Sequence, residues 1–130
     1  MIVVDASVLA PALADDGADG DRVRERLRGE QLTAPELVDL EVVSTFRRAA
    51  RAGRLDDRRS AQALIDLAAL PLRRVPHLPL LSRIWELRNN LTAYDAAYVA
   101  LAEALAAPLL TADGPLGRAS GVRCEVEVLG

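Results

Sequence analysis

The segment IVVD, Ile2 to Asp5, is the strongest constraint on the fold: three apolar residues run unbroken into a charge. An apolar run this short, with no polar alternation, reads as a strand buried on both faces, the kind found in a parallel sheet covered by helices. Similar runs recur at QLTAP (Gln31–Pro35), PLRRVP (Pro71–Pro76) and APLLTADG (Ala107–Gly114). The last, VRCEVEV (Val122–Val128), alternates instead, with Val122, Cys124, Val126 and Val128 on one face and Arg123, Glu125 and Glu127 on the other. That pattern predicts an edge strand with one wet face.

Helical stretches separate these runs. Ser7 is placed to cap a helix over VLAPALA, in which Pro11 must lie in the first turn or end the helix. DDGADGD (Asp15–Asp21) reads as a loop and RVRERLRGE as a solvated helix closed by Gly29. Pro35 opens a helix of about five turns that ends at Gly53. Asp56–Leu70 is a helix with Ala63, Leu64, Leu67 and Leu70 near one face, and Leu78–Asn90 is another, closed by asparagines. LTAYDAAYVALAEALA is apolar on most sides and therefore a buried helix. Strand alternating with helix predicts an α/β fold with a mainly parallel sheet of about five strands, covered on both sides.

A chain of 130 residues without an internal linker is one domain, residues 1–130, and buries about two-thirds of its unfolded surface. Aromatics make up 3%, so the core is aliphatic. No apolar run reaches the roughly 20 residues that span a bilayer, which predicts no membrane partner. The single cysteine, Cys124, can form neither an internal disulfide nor a zinc cluster and reads as packing, so a reducing cytoplasm is the expected compartment. All 16 basic side chains are arginines, which removes every mechanism that needs a catalytic lysine and leaves the guanidinium fork for phosphate.

In open α/β sheets ligands bind at the carboxyl ends of strands. Asp5 and Asp113 follow two of the apolar runs, and two further acids stand inside apolar helical stretches: Glu41 in LVDLEVVSTF and Asp95 in TAYDAAYVALA. Each has a plain structural reading as well. Asp113–Gly114 is a turn signal, and Asp95 completes a capping box with Thr92. Glu36, Asp39 and Glu41 are equally surrounded by apolar residues, so periodicity leaves open which of them faces inward. Taken together, acids at two strand ends and one helix start converge on one edge of the sheet. Clustered carboxylates require protonation or a cation. An all-oxygen set favours Mg²⁺ or Mn²⁺, and such a site activates water and steadies a phosphoryl oxygen in phosphodiester cleavage.

In order and spacing, VVDAS, PELVDLEVVSTFRR and LTAYDAAYVALAEALAAPLLTAD resemble the motifs of PIN-domain proteins, and within them the VapC-type toxins of bacterial toxin–antitoxin pairs. The resemblance spans Ile2 to about Val128. It implies a three-layer α/β/α sandwich that cuts RNA with a divalent metal. It places the four acids of the family on Asp5, Glu41, Asp95 and Asp113, so choosing Glu41 over Asp39 and Glu36, and it implies supporting hydroxyls at Ser7 and Thr111. Asp5 and Asp95 are then the primary metal ligands, through waters, with Glu41 and Asp113 orienting water or holding a second ion. It also implies a homodimer silenced by a small cognate antitoxin. The chain departs from some relatives at Tyr98 and Val99, where those carry a further acid one turn after the third.

Arg47, Arg48 and Arg118 are the candidates to meet an RNA backbone, with an ordinary solvated surface role as the alternative for each. The basic stretch Arg22–Arg28 reads as an ordinary surface face, His77 as a loop residue, and Trp85 and Phe46 as core or interface anchors. Two rival functions are weighed against a ribonuclease. A haloacid-dehalogenase-like phosphatase also places an aspartate after its first strand, but needs a second aspartate where Ser7 stands and a lysine the chain lacks. A PIN scaffold with a silent site, serving as a binding module, is opposed by the presence of all four acids.

Overall fold

A computed structural model describes all residues from Met1 to Gly130. Five strands, β1 (Ile2–Val4), β2 (Leu32–Pro35), β3 (Leu72–Val75), β4 (Leu109–Thr111) and β5 (Val126–Val128), form one sheet in the order β3-β2-β1-β4-β5. Every pairing is parallel. The α-helices are α1 (Ala6–Ala14), α2 (Ala18–Leu27), α3 (Val38–Arg51), α4 (Asp57–Ala69), α5 (Leu81–Glu86), α6 (Ala93–Leu105) and α7 (Gly114–Gly117).

Successive residues of a strand point to opposite faces, and Ile2, Val3 and Val4 are all buried to within about 1%. Both faces of the sheet centre are therefore covered. Helices α1 to α4 pack on one another, while α5 packs on α6, which lies against β1, β2 and β4. The core is aliphatic and includes only two aromatic rings, Phe46 and Tyr98. From β1 the chain proceeds outward to β2 and β3, then returns to the other side of β1 for β4 and β5. The β1–β4 boundary is thus the topological switch point, where the strand ends open into a crevice.

The helix facing that crevice is started by Asp5, not Ser7. Asp5 has extended backbone and its side chain accepts a hydrogen bond from the Ser7 amide, so the cap lies two residues earlier than expected. Pro11 neither ends α1 nor lies in its first turn; it sits mid-helix, where the missing N–H costs the one bond that the Ser7 carbonyl would have accepted. The loop expected over Asp15–Asp21 is shorter, because α2 begins at Ala18. A side chain on Gly20 would come 1.9 Å from the Asp15 carbonyl oxygen, so glycine is what lets α2 close onto the end of α1. Pro35 is the last residue of β2, not the first of α3. The helix expected over Leu78–Asn90 is instead a 3-10 turn (Leu78–Leu80) followed by the short α5. On α4, Leu64 is 40% exposed although Ala63 and Leu67 are buried.

The edge strand predicted for Val122–Val128 pairs only over Val126–Val128. Its partner β4 is three residues long, and the preceding segment is held by side chains instead. Arg83 donates to the Gly121 carbonyl, and Glu103 accepts from the Arg123 amide. Trp85 is 67% exposed and so is no core anchor, whereas Phe46 is.

Candidate active site

Asp5 ends β1 at the switch point and is 6% exposed. One oxygen accepts from the Ser7 amide at 2.8 Å and the other from the Thr111 hydroxyl at 2.6 Å. The second bond ties the ends of β1 and β4 together across the crevice. Thr111 also accepts from the Asp113 amide, and the Ser7 hydroxyl accepts from the Ala112 amide. The two hydroxyls thereby fix both Asp5 and the turn that carries Asp113. Asp113 itself caps α7, accepting from the Leu116 amide at 3.4 Å; the turn signal and the acid are the same feature.

Asp95 lies in the first turn of α6, where its amide donates to the Thr92 hydroxyl. The amide half of the expected capping box forms, and it leaves the Asp95 carboxylate free. The ambiguity over the α3 acids is resolved by tertiary contacts. Glu36 is exposed. Asp39 takes a forked pair of bonds from Arg74 on β3, at 2.8 and 3.0 Å. Glu41 turns into the crevice, where the Tyr98 hydroxyl donates to it at 2.5 Å. Tyr98, wholly buried, is the site residue that the sequence reading passed over. Its signal was its spacing: three residues after Asp95 it lies on the same face of α6.

These carboxylates act on one another. Burial pushes the Glu41 carboxyl above its ordinary value; the Tyr98 hydrogen bond pulls it partly back, and the charges of Asp5 and Asp95 add to the rise. Burial also raises Asp95, with Asp5 and Asp113 as the charges that contribute. Burial first, and then the bond to Glu41, hold the proton on Tyr98 far above the usual phenol range. The chain forms nine ion pairs, and none includes Asp5, Glu41, Asp95 or Asp113. A protein with 16 arginines therefore leaves these four acids, the buried Asp5 among them, outside every ion pair.

An open cleft of ≈ 530 Å³ lies over Asp5 and Glu41, with Ser7, Arg48, Leu40 and Tyr94 in its walls. Of the three predicted backbone-contacting arginines, Arg48 lines this cleft and Arg47 does not. Arg118 ends α7, with its guanidinium folded back over Gly114, beside Asp113. No three carboxylates surround a single point closely enough to cage a bare ion. The donor set fits a hard cation that keeps much of its water and takes one or two direct carboxylates, which is how Mg²⁺ binds.

Comparison with known proteins agrees with this geometry. The PIN domain family profile matches residues 2–122. A VapC ribonuclease of Mycobacterium bovis is 44% identical over 129 residues, covering 99% of this chain and 98% of its own length. Ribonuclease VapC1 of Mycobacterium tuberculosis is 42% identical over 98% of this chain and 96% of the relative. Among solved structures, PAE2754 of Pyrobaculum aerophilum superposes with a TM-score of 0.69 at 26% identity, over 98% of this chain and 83% of that one. The sarcin–ricin-loop-cleaving toxin VapC20 of M. tuberculosis shares the fold, with a TM-score of 0.72 at 17% identity, over 95% of this chain and 97% of that one.

Proposed function

Because the chain belongs to the PIN-domain family, among its VapC-type ribonucleases, we propose that it is a toxin that hydrolyses RNA phosphodiester bonds with Mg²⁺ or Mn²⁺ and is silenced by a small cognate antitoxin. The observation that carries this reading is the set of four carboxylates at the switch point, mutually repelling and unpaired, in a protein that pairs its other acids freely with arginine. A divalent ion bound there would polarise a phosphate oxygen and lower the pKa of bound water. Asp5 and Asp95 would hold it.

The chain's own groups do the rest. Ser7 and Thr111 fix both Asp5 oxygens, so this ligand costs no reorganisation on binding. Tyr98 occupies one Glu41 oxygen and leaves the other for water in the cleft, where a carboxyl with a raised pKa is suited to receive a proton. Asp113 stands across the switch point on the β4 side and orients water there. Arg48, in the cleft wall, offers the positive charge that an acidic site needs if it is to admit a phosphate.

The reading is tested by RNA cleavage with Mg²⁺ present, comparing the wild type with Asp5→Asn and mapping new RNA 5′ ends. Cleavage should vanish in the variant, and identical end maps would refute it. Co-expression with a small antitoxin, to be sought in a reading frame adjoining the gene, should silence the wild type. The exposed apolar side chains Leu78, Leu81 and Trp85 support a homodimer, which light scattering at micromolar concentration would register.

A further inference from the structure

The chain has four aromatic side chains, and two of them, Phe46 and Tyr98, are core. The other two are exposed on either side of the start of α6. Trp85 shares a shallow pocket with Ala93, the first residue of that helix, and the next residue, Tyr94, lines the carboxylate cleft together with Asp5 and Glu41. The two rings are not equivalent. The Arg88 guanidinium sits 4.3 Å over the Trp85 ring and occupies one of its faces. Tyr94 carries no such cover and is 62% exposed. It stands at the outer end of a helix whose packed stretch, Ala96–Ala102, lies further along, so the core does not account for it.

The cleft has two kinds of wall. Tyr94 and Leu40, the latter 72% exposed, are apolar surfaces left open to water. Arg48 is a cation outside every ion pair in the protein. Arg54, also exposed and outside every ion pair, shares with Arg48 the adjoining groove, whose walls also carry Asp15, Asp16 and Asp56. An exposed aromatic ring in the same cleft as a free guanidinium group is the pairing by which proteins hold an unstacked base and its backbone. A base within a duplex cannot reach such a ring, since its faces are already stacked.

We infer that Tyr94 is the stacking platform for an unpaired base next to the phosphate being cut, with Arg48 on the adjoining backbone. This inference rests on the ribonuclease reading and narrows it. Tyr94 binds and positions substrate, and its ring, rather than its hydroxyl, does so.

The test measures binding of a labelled single-stranded RNA and of the same sequence as a duplex, with Ca²⁺ in place of Mg²⁺ and strand integrity checked on a gel. Tyr94→Ala should weaken single-strand binding about tenfold, the equivalent of one stacked base, and leave duplex affinity and salt dependence unchanged. Tyr94→Phe should bind within about twofold of the wild type. Arg48→Ala should instead lower the salt slope by about one. Circular dichroism confirms that each variant is folded. Unchanged affinity in Tyr94→Ala overturns the inference. So does an equal loss in Tyr94→Phe, a loss that falls equally on the duplex, or a variant that escapes antitoxin inhibition while binding RNA normally, which would make the ring a protein contact. A wild type that cuts RNA with no dependence on Tyr94 refutes the platform alone; a wild type that neither binds nor cuts RNA refutes the ribonuclease reading as well.

Discussion

Replacing Tyr98 with phenylalanine removes one oxygen from a wholly buried side chain and leaves the ring that packs the core, so the change isolates a single hydrogen bond. That bond joins α6 to α3 by donating to Glu41. A hydrogen bond to a charged partner contributes about 1.5–3 kcal/mol. Glu41 borders the open cleft, where water can replace the lost donor, so the lower end applies, about 1.5 kcal/mol. For a domain of this size that corresponds to a fall of roughly 5 °C in Tm. The sign with pH follows from Glu41. Its carboxyl is raised by burial, and the Tyr98 bond works against that rise. Losing the bond therefore raises the folded-state pKa further. The stability supplied by Tyr98 is present where Glu41 is ionised and fades as pH falls through the Glu41 pKa and the carboxyl takes a proton. Thermal melts of the metal-free protein should show a larger gap between Tyr98→Phe and wild type at pH 8 than at pH 4.5. The acid limb of the RNA-cleavage profile should move to higher pH in the variant. A gap independent of pH would mean that the hydroxyl does not bond an ionised Glu41, and the account of this side of the site would fail.

Three further outcomes are expected. Asp95→Asn should abolish cleavage yet stabilise the metal-free protein: the folded-state pKa of Asp95 is raised, so its ionisation weakens the fold increasingly as pH climbs from the ordinary carboxylate range through that raised value. Melts with and without Mg²⁺ should show the gap widening with pH and narrowing with the ion. Arg74→Ala removes the fork to Asp39 and a bond to the Leu67 carbonyl, which frees edge strand β3 from α3 and α4; a loss of about 1–2 kcal/mol should appear in urea unfolding, with RNA cleavage unaffected at saturating substrate. Gly20→Ala forces a methyl group onto the Asp15 carbonyl and should cost about 1–3 kcal/mol, read as a lowered urea midpoint with α2 and the end of α1 displaced.

How far the sequence could be read depended on whether a feature was local. Asp5 was legible because one residue both ends a buried strand and carries a charge, a conflict visible in four letters. All five strands were located, since apolar runs between turn residues need no partner to be recognised. The inward-facing acid of α3 was not legible from periodicity, because what turns Asp39 away is Arg74, 35 residues along the chain and on another strand; the family resemblance selected Glu41 without that contact. Tyr98 stayed hidden for the same reason: in sequence it is an apolar residue of a buried helix, and only the fold brings Glu41 to its hydroxyl. For Trp85 only the core half of the core-or-interface reading is excluded, by its 67% exposure. A large aromatic ring is expected to be covered, and here the cover is the Arg88 guanidinium at the surface, a local contact three residues along the chain.

The distribution of charge explains how so acidic a site coexists with a stable fold. Both edges of the sheet are fastened by arginine forks, Arg74 to Asp39 beside β3 and Arg26 to Glu127 on β5, and the segment before β5 is tied by Arg83 and Glu103. Each fork spans elements far apart in the chain, so each closes a loop as well as pairing charges. The carboxylates at the switch point are bonded only by neutral donors: the Ser7 amide and Thr111 hydroxyl on Asp5, the Tyr98 hydroxyl on Glu41 and the Leu116 amide on Asp113. Hydroxyl and amide donors hold a carboxylate in place without neutralising it, so the negative potential there persists for a cation and an attacking water. An arginine in place of Thr111 would bring a charge to the same Asp5 oxygen and neutralise the site. The uncompensated charge at the centre of the sheet is therefore a property that the arrangement of pairs elsewhere preserves.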